Sequence, residues 1–377
     1  MFYYEPGFFY SAPMSSYRLL QTGDLAPDFK QNSSSNPNYN FSTVAGRYIL
    51  LCFYGSAADP AGQKMLQLPE QIRTLLDDDH MAFFGISNDP QDRLQQRVRE
   101  SMPGIRFIWD DDLTVSRLYG AVPLDVSATT ARLRRFFLLL KPNLQVHAQF
   151  DFDDSNEYLD KLISCLHKLP PVDAFAGQRL HAPVLLLQDI FDADLCRQLI
   201  HYYENRGGND SGFMEEKDGK TVGVIQHQRK KRSDCYIEDD ALKSHLRTLL
   251  SNRISPWLLK AFHYRATRIE RYLVGCYDAK THDHFSAHRD NTTKATMHRQ
   301  FAVSVFLNDN YEGGELVFPE FGHHAIQAKT GSACVFSGSL IHMVRRVTIG
   351  KRYVFIPFLF DEAANTVREA NEKYLAS

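Results

Sequence analysis

The sequence predicts two domains of unlike class: an α/β domain built on a central sheet covered on both faces, then a mainly-β domain of jelly-roll type with flanking helices. Three observations carry this expectation. At 377 residues the chain is too long for one ordinary domain. In its first half, apolar strand-like runs alternate with helical patterns. In its second half, helical patterns come first and many short strands follow, separated by turn residues.

A hydrophobic share of 44% and a charged share of 23% match soluble globular chains. The formal net charge of -2 supplies no global field for gathering nucleic acid or an anionic membrane, so any such contact has to be a local patch. Cys52, Cys165, Cys196, Cys235, Cys276 and Cys334 are scattered with no CxxC pair, which fits reduced, buried thiols in a cytoplasmic protein. The first residues include Phe2, Tyr3, Tyr4, Phe8, Phe9 and Tyr10, but Glu5 and Pro6 interrupt them and no basic start precedes an apolar run. That pattern argues against a secretory signal, and no stretch is long enough for a bilayer-spanning helix.

Residues 48–54, YILLCFY, read as a buried strand, and a helical pattern follows through Met65, Leu68, Ile72 and Leu75. Residues 81–87 read as a second strand, 90–100 as a helix, 136–140 and 146–150 as two more strands, and 155–166 as a closing helix. Pro170 and Pro171 cannot continue that helix. The expected division is an N-terminal extension over 1–18, a first domain over 19–168, a linker over 169–182 and a second domain over 183–377 with its core near 267–361. Asp192 is placed to cap a helix carrying Leu195, Leu199 and Ile200, and a helical region over 242–262 breaks near Pro256. Strands are expected over 269–276, 301–307, 315–318, 332–336 and 353–360, with Asn308, Asp309, Asn310 and the pair Gly313 and Gly314 in turns between them.

The chemistry-bearing pattern lies in the second domain. Alternate residues of a strand project to one face, so His288 and Asp290 can grip one ion; His342 offers a third ligand and Arg352 a cation beyond it. Two imidazoles and one carboxylate leave half of an Fe(II) octahedron open. His282 and His284 stand at even spacing from His288, and strand parity does not exclude them. Arg345, Arg346 and Lys351 compete with Arg352, since both faces of the following strand are apolar.

Segments RYLVGCYD (271–278), HFSAHRDN (284–291), LNDNYEGGELVFPEFG (307–322) and HMVRRVTIGKRYVF (342–355) together resemble the prolyl 4-hydroxylase type of Fe(II)- and 2-oxoglutarate-dependent dioxygenase, whose fold is a double-stranded β-helix. The resemblance implies that His288, Asp290 and His342 ligate the iron and form the catalytic set. It further implies that Arg352 binds the distal carboxylate of 2-oxoglutarate through its planar fork, with Tyr272 offering a hydroxyl to the same cosubstrate. The implied reaction consumes 2-oxoglutarate and O2, releases succinate and hydroxylates a C–H bond of a peptidyl or free amino-acid-like substrate, with ascorbate rescuing oxidised iron.

In the first domain, GDLAPDF (23–29), FYGSAADPAG (53–62), FFGISNDPQDRLQQ (83–96) and RRFFLLLKPNLQV (134–146) resemble the peroxiredoxin branch of the thioredoxin fold. That family follows its strand with proline, a Thr or Ser, and the peroxidatic Cys; here those places carry Gly55, Asp59 and Gly62. Glycine supplies no thiolate, so the ordinary peroxidase cycle is expected to be absent. Arg134 and Arg135 read as solvated or structural arginines, with a relic of the family's active-site arginine as the rival reading, and docking, self-association or shaping access to the oxygenase are the roles open to the domain.

Residues 228–232, QRKKR, read as a solvated loop, with a clamp for an acidic substrate or phosphate as the rival reading. No aromatic residue interleaves with these cations, which argues against a nucleic-acid platform. Two further readings stand beside the oxygenase. One is a non-catalytic partner-binding or redox-scaffold protein; the other is a thiol peroxidase using an unusual cysteine such as Cys52.

Overall fold

The computed structural model describes residues 17–125 and 132–375, so Phe2, Tyr3, Tyr4, Phe8, Phe9 and Tyr10 of the N-terminal extension lie outside the described residues. The chain divides into two compact units. One runs through His181 and takes in Pro319–His323; the other comprises Ala182–Phe318 and His324–Ser377.

The first unit is built on a seven-stranded sheet. Its Tyr48–Gly55 strand is buried throughout because it is covered on both faces and paired along both edges. It runs parallel to Met81–Ser87 and antiparallel to Phe136–Leu140. Ile49, Leu51 and Phe53 point into one apolar core, while Tyr48, Leu50, Cys52 and Tyr54 point into the other. Each such side chain contributes roughly 1.5–3 kcal/mol by leaving water, which explains an unbroken apolar run. The Ile105–Trp109 strand was not legible in the sequence, where Arg106 interrupts a short run. The helix expected over 90–100 stops at Leu94, because Gln96 adopts φ +50° and Arg97 folds back onto Asp89 at 2.8 Å and Asp92 at 3.2 Å. The pattern through Met65 to Leu75 likewise resolves into Pro60–Met65, Leu68–Gln71 and a 3-10 turn.

In the second unit a nine-stranded sheet includes Leu273–Asp278, Phe301–Phe306, Lys351–Phe355 and Phe358–Phe360. A five-stranded sheet orders Lys230–Lys231, His284–His288, His342–Val344, Leu316–Val317 and Ala325–Ile326. Helices Ala193–Arg206, Asp240–Arg253 and Ser255–Phe262 pack Leu199, Leu246, Leu250 and Leu258 against Val274, Cys276, Val303, Val305 and Phe355 of the large sheet. Asp192 caps the first of these helices by accepting from the Leu195 amide at 2.8 Å. The opposite face of the large sheet carries Ser304 and Arg352 beside the buried apolar side chains of Phe306 and Val354.

Two expected strands are each broken in two. The 269–276 run splits into Arg268–Glu270 and Leu273–Asp278, because Arg271 adopts φ +54°. The 353–360 run splits at Ile356 and Pro357 into Lys351–Phe355 and Phe358–Phe360. Among the described residues no helix is long and apolar enough to cross a membrane.

Candidate metal and cosubstrate site

His288 and His342 are direct partners in the antiparallel ladder between His284–His288 and His342–Val344. Asp290 follows two residues after His288, and its amide donates to the Gly338 carbonyl at 2.9 Å. One ligand atom each from His288, Asp290 and His342 lies within 4.8 Å of the others. Nε2 of His288 stands 3.6 Å, and Nε2 of His342 3.4 Å, from the Asp290 oxygens.

Both imidazoles are held in one tautomer. Nδ1 of His288 lies 2.8 Å from the Ser286 carbonyl and Nδ1 of His342 lies 3.0 Å from the Leu340 carbonyl. A carbonyl only accepts, so Nδ1 carries the proton and Nε2 offers its lone pair to the shared space. The Phe285 ring stacks on His288 at 3.5 Å between centroids, and Phe336 and Phe318 flank His342 at 4.6 and 6.2 Å. Burial and the neighbouring His342 push the His288 imidazole down to about 4, which keeps it neutral. For Asp290 burial acts upward, but His342 and His288 outweigh it and hold the carboxyl well below its usual range. Two neutral imidazole nitrogens and one carboxylate suit Fe(II) in ligand type.

The rival histidine is separated by a β-bulge. The ladder slips between Phe285 and His288, so the even spacing of His284 and His288 does not put them on one face. His284 turns instead to the carbonyls of His282 and Gln228, each at 3.0 Å.

Arg352 is 1% exposed. Its guanidinium donates to Ser304 Oγ at 3.2 Å and lies over the rings of Tyr277 and Phe306 at 5.2 and 5.4 Å. Nε finds no hydrogen-bond partner, nor does the hydroxyl of Tyr311, and no carboxylate of the described residues lies within 4 Å of the guanidinium. A buried cation without a counter-charge is costly, and an incoming anion would offset that cost. Its competitor Lys351 pairs with Glu204 at 3.2 Å, and Arg346 is exposed. Gly314 has a role beyond its turn. A Cβ there would meet Val347 at 2.8 Å and the Arg352 side chain at 3.1 Å, and its φ is +68°.

Tyr272 is not brought to this pocket. Its hydroxyl accepts from Arg247 Nε at 3.2 Å and its ring packs with the helix-facing core. The physical reason is parity: Tyr272 shares a face with Val274 and Cys276, whereas Tyr277, directly paired with Arg352, shares the other with Gly275. The signal that could have found Tyr277 is that same alternation counted back from a strand partner. The basic run also departs from the solvated-loop expectation, since Lys230 and Arg232 are 4% and 5% exposed.

In the first unit Gly62 occupies the place where the resemblance expects the peroxidatic Cys. A Cβ at Gly62 would stand 2.1 Å from the Ser56 carbonyl oxygen. Arg135 donates to the Tyr54 carbonyl at 3.0 Å and to Asp59 at 2.8 Å, a structural use within the domain. Cys52 is wholly buried, and burial pushes its thiol well above the ordinary value.

Comparison with known proteins gives the class. Residues 272–360 match the model of the 2OG-Fe(II) oxygenase superfamily, which defines the second region as an oxygenase domain of jelly-roll type within the dioxygenase class. Residues 22–147 match the AhpC/TSA family, so the chain joins a thioredoxin-like region to that oxygenase region. A PKHD-type hydroxylase of Azoarcus is 34% identical over 101 residues, which span 25% of this chain and 43% of the relative. A PKHD-type hydroxylase of Pseudomonas putida is 26% identical over 181 residues, spanning 45% of this chain and 75% of the relative. A solved prolyl-4-hydroxylase of Pseudomonas putida aligns with 50% of this chain and 96% of its own at 14% identity, with a TM-score of 0.37.

Proposed function

We propose that the protein is an Fe(II)- and 2-oxoglutarate-dependent dioxygenase that hydroxylates a C–H bond of an amino-acid-like substrate, free or peptidyl, with a prolyl ring as the leading case. The reading rests on one observation: two imidazoles and a carboxylate converge within 4.8 Å, in a domain that also buries an arginine lacking a carboxylate partner. The names of the PKHD-type relatives support hydroxylation as the reaction.

His288, Asp290 and His342 would hold the iron, which with 2-oxoglutarate and O2 supplies the oxidising power; ascorbate would restore oxidised metal. The protein's own residues do the rest. The Ser286 and Leu340 carbonyls hold the Nδ1 protons, and Phe285, Phe318 and Phe336 exclude water. Arg352, with Tyr311 and Ser304 beside it, anchors the distal carboxylate and so orients the keto acid. In this reading residues 19–168 form a docking or assembly domain without peroxidase activity, joined through 169–182, and the six unpaired thiols fit a cytoplasmic setting.

Purified full-length protein given Fe(II), 2-oxoglutarate and O2 should release succinate and add oxygen to a member of an amino-acid and peptide panel. His288→Ala and Asp290→Ala protein with an unchanged circular dichroism spectrum should do neither. Absence of iron-dependent succinate from the wild type would instead favour a partner-binding scaffold.

A further inference from the structure

The second unit holds a group of three guanidiniums and two carboxylates beside the metal-ligand set, and the pairing leaves one cation over. Glu270 is fully used: it accepts from Arg299 at 2.8 and 2.6 Å and lies 2.8 Å from His298 Nε2. Asp234 is used by Arg232 at 2.6 and 2.7 Å and by the Ser211 hydroxyl. Arg271 has neither. Its Nε donates to the Ile356 carbonyl at 3.3 Å, and no carboxylate of the described residues lies within 4 Å.

Position ties this cation to the reacting centre. Arg271 stands two residues ahead of the Leu273–Asp278 strand, whose Tyr277 is the direct partner of Arg352. Its guanidinium carbon and that of Arg299 each lie 4.3 Å from the centroid of the Phe358 ring. The Arg299 backbone in turn borders the ligand loop: its carbonyl accepts from Asn291 Nδ2 at 3.5 Å, and a Cβ on Gly338 would stand 2.7 Å from that carbonyl and 3.6 Å from Asp290 Cβ. On the other side Lys230 lies over the Phe285 ring at 5.0 Å, and Phe285 stacks on His288. Arg271 also holds the φ of +54° that breaks its strand, a conformation unfavourable for a residue with a Cβ. Burial and the guanidiniums of Arg299 and Arg232 push its proton affinity down to about 10 against the opposing pull of Glu270 and Asp234, so it stays charged at neutral pH while those two carboxylates are bonded to other groups.

We propose that Arg271 binds a carboxylate of the substrate, so that the oxygenase acts on an anionic, carboxylate-bearing molecule. This deepens the dioxygenase reading and rests on it for the identity of the reaction. The keto acid has its own anchor at Arg352, on a different strand, so Arg271 remains for the second reactant. The planar fork suits a carboxylate, whether the α-carboxylate of a free amino-acid-like molecule or one carried by a peptide.

The test uses full-length protein with Mn(II) and saturating 2-oxoglutarate under anaerobic conditions, titrated with N-acetylglycine and with an N-acetylated tripeptide ending in Glu, each beside its neutral amide. Thermal-shift midpoints should rise with the carboxylates and not with the amides. Arg271→Gln should weaken the carboxylate response about tenfold or more, and Arg271→Lys, which keeps the charge, should weaken it less. Binding of 2-oxoglutarate should be unchanged in both variants. A stronger response to N-acetylglycine points to a free substrate and a stronger response to the tripeptide to a peptide; either supports the proposal. Equal responses to carboxylate and amide, no response to either, or an undiminished response in Arg271→Gln overturns it. If Arg271→Gln does not fold, Arg271→Lys and the carboxylate-against-amide contrast in the wild type still decide. Failure of Mn(II) and 2-oxoglutarate to bind removes the dioxygenase reading separately, since the carboxylate titration reads Arg271 without turnover.

Discussion

Tyr277 and Arg352 are direct partners across the antiparallel pair of the Leu273–Asp278 and Lys351–Phe355 strands, with the guanidinium carbon 5.2 Å from the tyrosine ring centroid. Tyr272 lies five residues earlier, on the opposite face.

This pairing predicts an order of effects on 2-oxoglutarate. Hydrogen bonds to charged groups contribute roughly 1.5–3 kcal/mol, so Arg352→Gln should raise the KM for 2-oxoglutarate about 10- to 100-fold. Tyr277→Phe should raise it a few-fold through loss of the hydroxyl that accepts from Arg232 at 3.4 Å. Tyr272→Phe should leave it unchanged. Steady-state kinetics with the three variants checks the order, and a larger effect from Tyr272→Phe than from Tyr277→Phe would refute the parity argument.

The β-bulge between Phe285 and His288 predicts which histidines bind metal. His284→Ala should retain one equivalent of iron after anaerobic reconstitution and desalting, whereas His342→Ala should retain almost none. Metal analysis by mass spectrometry distinguishes them.

Lys230 predicts a dependence of stability on pH. Burial and the neighbouring Arg232 push its ammonium from 10.5 down to about 6. Between those values the unfolded chain holds a proton that the folded protein has released, so this group's contribution to stability rises as pH rises. The slope is about 1.4 kcal/mol per pH unit, or about 3 kcal/mol between pH 7 and pH 9. Lys230→Met should lose that slope. Urea unfolding of both proteins at the two pH values measures it, and a difference between them that does not change with pH would count against the buried lysine.

Restoring a cysteine to the first domain should not restore a peroxidase. Gly62→Cys forces a Cβ against the Ser56 carbonyl, which should cost about 1–3 kcal/mol of that domain's stability. Thiol-dependent peroxide consumption should stay at background. In the native protein Cys52, Cys196, Cys235, Cys276 and Cys334 are buried and should resist a thiol reagent, while the partly exposed Cys165 reacts first.

Much of this protein was legible before any coordinates. The strands at Met81–Ser87 and Phe136–Leu140 are continuous apolar runs flanked by turns, and fully buried strands have little choice of residue. The helix capped by Asp192 carries its own start signal. The order of His288, Asp290, His342 and Arg352 is written in the chain, because the residue types that suit a ferrous ion and a keto acid are few. What the sequence could not settle is where a strand breaks or slips. Parity counted through Arg271 or across Phe285 fails, since a left-handed residue or a bulge resets the alternation, and both are stabilised by contacts from distant strands. Only the tertiary structure decided that Tyr277 and Arg352 are direct partners, that His284 turns away, and that Lys230 and Arg232 are buried. These are relations between segments far apart in the chain, and local preference carries no record of them.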